Sequence, residues 1–86
     1  MDKQELIATL KEMIVEECDK DMEPSEIGTE EQLIGGGLDL DSLDALQISM
    51  WVQKTYDVRI ENGPAARKAL RSVDSLADTI IAAKSA

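Results

Sequence analysis

Asp39-Leu40-Asp41-Ser42-Leu43-Asp44-Ala45-Leu46 is the stretch on which the fold turns. Gly35, Gly36 and Gly37 lie just before it, and apolar residues recur at helical spacing after it, so the octet marks the passage from an irregular segment into a helix. Asp41 suits the N-cap, with Asp44 at the third helical position. Ser42 then opens the first turn. A helix start offers unpaired backbone N–H groups and the positive end of the macrodipole, which suits a phosphate attached there. The chain has no His, and nothing near Ser42 would activate it as a hydrolytic nucleophile. The hydroxyl reads as an attachment point.

Downstream of the octet, the helix is expected over about residues 42–56, and it carries two apolar stripes. At about 100° per residue, Leu43, Leu46 and Met50 fall within about 60° of one another. Ala45, Ile48, Val52 and Tyr56 form a second stripe on roughly the opposite side. A small domain with one core buries one stripe fully. Gln47, Gln53 and Lys54 flank the first stripe, which is therefore expected to face water and to offer a docking surface beside Ser42. Trp51 lies beside it as a half-buried packing residue or an aromatic anchor.

Upstream, Leu6, Ile7, Leu10, Met13 and Ile14 recur at three- and four-residue spacing among Lys and Glu, which predicts an amphipathic helix over about 2–18. Cys18 falls near its apolar stripe and reads as a small hydrophobe at the helix end. Asp19 to Asp41 is a long connection in which Pro24, Gly28 and the three glycines prevent a continuous helix. Ile27, Leu33, Ile34 and Leu38 are the residues able to pin it to the core, and a short helical turn is expected over 30–34. No Lys-Ser or Lys-Thr follows the glycines, so turn chemistry explains them better than a phosphate loop. After Asn62-Gly63-Pro64, a short helix is expected over 64–70. Ser72 caps a last helix over about 73–84, with Val73, Leu76, Ile80 and Ile81 on its apolar side. The fold class is all-α: a single-domain small bundle of three main helices and one short one, with a long loop between the first two main helices.

Composition narrows the function. The 86 residues carry a net charge of −9. Residues 1–44 hold 14 acids and 3 bases, and residues 45–86 hold 4 acids and 6 bases. That field repels nucleic acid and favours basic partner surfaces. Without His and with one Cys, neither a zinc site nor an internal disulfide is expected, and no base or metal constellation accompanies the acids to make an enzyme. No basic n-region precedes an apolar run, and no apolar stretch approaches the roughly 20 residues needed to cross a bilayer. A soluble, cytoplasmic monomer without membrane insertion is expected.

The chain resembles the acyl carrier protein family in its freestanding, type II form. The resemblance is strongest from Gly37 to Ile60, where Asp41-Ser42-Leu43-Asp44 matches the family's attachment motif, and extends more weakly over the whole chain. It implies that a phosphopantetheinyl transferase, which brings its own base and magnesium, modifies Ser42 from coenzyme A. Ser42 would then carry 4′-phosphopantetheine, with acyl groups held as thioesters on its thiol. Asp41 would support the motif, and Ser42 is a substrate rather than a catalytic residue. The implied partners are the transferase and the acyl-loading, condensing and modifying enzymes of fatty acid, other lipid or polyketide biosynthesis, engaged through Leu43, Asp44, Leu46 and Met50. Ile48, Val52, Ile60, Leu76 and Ile80 would either line a cleft for the acyl chain or fill the core.

Departures from the family pattern bear on partner choice. The outer positions of the helix after the serine, usually acidic, include Gln47, Gln53 and Lys54, leaving Asp44 as the main acid. The short helix, often acidic in the family, is surrounded by Arg67, Lys68 and Arg71. These three are either an ordinary solvated face or docking residues for acidic or apolar patches, as in a carrier serving a dedicated pathway. Two other functions fit the residues: an aminoacyl or D-alanyl carrier loaded by an adenylating enzyme, and a cofactor-free helical interaction module. Many aminoacyl carriers have Gly-Gly-Asp-Ser at the site, which mildly favours acyl cargo here.

Overall fold

A computed structural model describes residues 2–18, 21–33, 40–61 and 63–85. Four α-helices, with no strand among the described residues, surround one aliphatic core: α1 (Lys3–Glu17), α2 (Ser42–Tyr56), α3 (Pro64–Ala69) and α4 (Val73–Ser85). α3 is the short one, and the long connection separates α1 from α2.

At α1, α2 and α4 a side chain supplies the missing acceptor, whereas no side chain caps α3. Asp2 caps α1, its Oδ1 accepting the Gln4 N–H at 2.9 Å. The expected helix over 2–18 therefore shrinks by a residue at each end, to a cap at Asp2 and another at Cys18, whose N–H donates to the Ile14 carbonyl at 3.0 Å. Pro64 starts α3 after Gly63, whose φ of 85° favours glycine. Leu70 caps α3 rather than extending it. Ser72 Oγ accepts the Ser75 N–H at 3.1 Å, and Ser75 Oγ accepts the Ser72 N–H at 3.0 Å, a reciprocal pair at the start of α4.

Leu6, Leu10, Met13 and Ile14 of α1 pack with Ile48 and Val52 of α2 and with Val73, Leu76 and Ile80 of α4, all buried. At the α1–α4 seam, the Lys3 ammonium lies 2.9 Å from carboxylate oxygens of both Asp74 and Asp78. Hydrogen bonding to Asp74 first, and to Asp78 second, raises the Lys3 ammonium above its ordinary value. The group is exposed, so the pair orients the seam more than it stabilises it. Lys84 Nζ donates to the Tyr56 carbonyl at 3.0 Å, tying the end of α4 to the end of α2. Trp51 packs edge-on against Tyr56, with centroids 5.6 Å apart.

The long connection is pinned as expected at Ile27 and Leu33, both buried. Ile34, Gly35, Gly36, Gly37, Leu38 and Asp39 lie outside the described residues. The helical turn anticipated over 30–34 is instead a 3-10 turn at Pro24–Glu26, and Thr29 to Leu33 forms turns and irregular backbone. Pro24 fixes the first φ, and Glu26 Oε2 accepts the Glu23 N–H at 2.7 Å, so local chemistry favours the earlier site. Among the described residues, two backbone bonds attach the connection to the start of α4 and the residue before its cap: Leu33 N–H to the Arg71 carbonyl at 3.0 Å, and Asp74 N–H to the Thr29 carbonyl at 2.9 Å.

Asp57 ends α2 in the left-handed region, at φ 57° and ψ 38°. A side chain there costs roughly 1–2 kcal/mol, which glycine avoids at some cost in unfolded-chain entropy. Asp57→Gly should therefore stabilise the chain by about 0.5–1 kcal/mol, read as a rise of a few degrees in Tm.

Candidate functional site

The site grows from the α2 cap. Asp41 Oδ1 accepts the N–H groups of Leu43 at 3.0 Å and Asp44 at 3.1 Å, and Asp44 Oδ2 accepts the Asp41 N–H at 3.1 Å. The Asp41 carbonyl accepts the Ala45 N–H at 3.0 Å, beginning the helical ladder. The cap thus uses Asp41 and Asp44 and leaves Ser42 out. Ser42 is exposed, and its hydroxyl makes no hydrogen bond among the described residues. The positive end of α2 is thus complemented by two carboxylates, Asp41 and Asp44.

Removing the cap leaves two N–H groups of the first turn without their acceptor. Asp41→Ala should cost about 1 kcal/mol, within roughly 0.5–2. The urea midpoint should fall while the slope stays unchanged.

Leu43, Leu46 and Met50 are 75%, 51% and 60% exposed, whereas Ile48 and Val52 on the other stripe are fully buried. The exposed residues run down α2 from beside Ser42. Tyr56 is half-buried, and that burial pushes its hydroxyl above the ordinary value. Trp51 is half-buried as well.

Ser42 also lies on the lip of an open groove of about 660 Å³ between α2 and α3. Ala45, Leu46 and Ser49 line one wall, Gly63, Ala66, Arg67 and Leu70 the other, with Gln32 and Arg71 at the loop end. Sequence reasoning placed Ala45 on the buried stripe and assigned nothing to Ser49 or Ala66. The signal was their small size on facing helices, which leaves the gap. By contrast, Ile48, Val52, Leu76 and Ile80, the candidates for a cleft, are fully buried core residues, and Ile60 is half-buried. The cavity is on the surface beside Ser42 and does not lie among them.

Arg67, Lys68 and Arg71 are all exposed. Arg67 and Arg71, four residues apart, line the groove, and Lys68 does not. None of the three has an ion-pair partner among the described residues, whereas Lys3 and Arg59 do. No group of three potential metal-binding side chains occurs among the described residues, and no described helix is long and apolar enough to cross a membrane. Compared with known proteins, the chain matches no protein-family model and no curated protein sequence.

Proposed function

We propose that the chain is a carrier whose Ser42 is modified with 4′-phosphopantetheine and which presents acyl groups to partner enzymes of lipid or polyketide-type biosynthesis. The observation that carries this reading is the unengaged Ser42 hydroxyl, exposed at a helix start whose capping is done entirely by its neighbours. The residues fit such a group, because Ser42 is accessible and opens onto a groove along which an attached arm has room. When bound, the arm supplies a thiol that holds acyl groups as thioesters. The chain's own residues bind and orient: Asp41 and Asp44 fix the serine's backbone, and Leu43, Leu46 and Met50 offer apolar contact beside it. A tether of this kind raises the effective concentration of cargo at each partner.

A count of thiols tests the proposal. The denatured chain offers one thiol, that of Cys18, before treatment. After incubation of the folded chain with coenzyme A, magnesium and a broad-specificity phosphopantetheinyl transferase, two are expected. A count that stays at one in folded protein would favour the second reading, a cofactor-free interaction module, to which the exposed stripe on α2 lends itself.

A further inference from the structure

Arg67 and Arg71 stand where the carrier reading did not need them. Residues 62–73 contain three bases and no acid, in a chain with 18 acids. Two of those bases face the groove that opens at Ser42, with neither guanidinium engaged in an ion pair among the described residues. The remaining walls are largely apolar, through Leu46, Ala66 and Leu70. The volume, about 660 Å³, falls within the range of small-molecule sites.

Two wall chemistries constrain the occupant. A plain alkyl chain would cover Leu46, Ala66 and Leu70 and leave both guanidiniums unused. The phosphodiester on Ser42 could itself engage the guanidiniums while a plain chain covers the apolar walls, and the bare-arm control below separates that rival. A hydrocarbon segment ending in a carboxylate uses both, since the arginine fork matches a carboxylate in geometry and charge. Resting on the carrier reading, we infer that the α2–α3 groove selects cargo that ends in a carboxylate, with Arg67 and Arg71 as the specificity-determining residues. Among the described residues flanking Ser42 in sequence, the charges are the Asp41 and Asp44 carboxylates, which disfavour an anion, so the preference rests on these two arginines.

The test uses the full chain loaded by a phosphopantetheinyl transferase from three donors: coenzyme A, hexanoyl-coenzyme A and adipoyl-coenzyme A. The last two differ in a terminal methyl against a terminal carboxylate. Intact mass reports loading, NMR reports the Arg67 and Arg71 side-chain N–H signals, and thioester hydrolysis reports shielding. The adipoyl form should move both arginine signals and hydrolyse several-fold more slowly on the parent than on the R67Q/R71Q double variant, with hexanoyl hydrolysis equal on the two. Both arginines are exposed, so the double variant should fold. Equal shielding of both cargoes would overturn the inference, as would arginine signals that move fully with the bare arm, which would assign them to the phosphodiester. Absence of any mass gain would overturn the carrier reading itself, and this inference with it.

Discussion

Ile48→Ala should cost about 2–5 kcal/mol, while Leu46→Ala, two residues earlier on the same helix, should change stability by no more than about 0.5 kcal/mol. Ile48 is fully buried among α1, α2 and α4 side chains, so truncation loses apolar burial and leaves a cavity that the rigid surroundings fill only in part. Leu46 is half in water and lines an open groove, so its truncation leaves no sealed void. A chain of this size has roughly 4–13 kcal/mol of stability to lose, so the Ile48 change alone can populate the unfolded state at physiological temperature. Urea unfolding followed by circular dichroism distinguishes the two variants. A Leu46→Ala loss as large as that of Ile48→Ala would mean that the exposed stripe is part of the core, and the docking surface would go with it.

The second large effect is chemical. Ser42→Ala should abolish phosphopantetheine attachment completely and leave stability within about 0.5 kcal/mol of the parent. Both halves of that expectation come from the cap. Asp41 and Asp44 hold the helix start through their carboxylates, and the Ser42 hydroxyl contributes no hydrogen bond among the described residues. Asp41→Ala gives the opposite pattern, with stability falling while the hydroxyl is retained. Comparing the two variants therefore separates the capping role of this motif from its role as an attachment point. If Ser42→Ala lowered stability as much as Asp41→Ala, Ser42 would be a structural residue.

The bundle was legible in the sequence because its determinants are local. The two stripes of α2 follow from a single angular period, and the structure buries Ile48 and Val52 while exposing Leu43, Leu46 and Met50. Pro64 and Ser72 start their helices by fixing φ and by supplying a hydroxyl, both visible from residue type. The turn at Pro24–Glu26 was missed because its side-chain bond comes from Glu26 reaching back to the Glu23 N–H, with no Ser, Thr, Asp or Asn at the N-cap to mark it. The attachment of the long connection was not legible, since Leu33 to Arg71 and Asp74 to Thr29 are backbone bonds that leave no mark on side-chain choice. The groove was missed for a related reason. It is made of space left over Ala45, Ser49 and Ala66, and hydrophobic periodicity records which residues face inward without recording the volume they fail to fill. Residue type marks Arg67 and Arg71 as docking candidates; that they share a groove with Ser42 depends on where the fold places α2 and α3.

The carrier reading stands or falls on Ser42 as an attachment point. Its most direct test is intact-protein mass after incubation of the parent and the Ser42→Ala variant with coenzyme A, magnesium and a broad-specificity phosphopantetheinyl transferase. The carrier account predicts the gain of one phosphopantetheine on the parent and an unchanged mass for the variant. An unchanged mass for the folded parent, or an equal gain on both proteins, would contradict it.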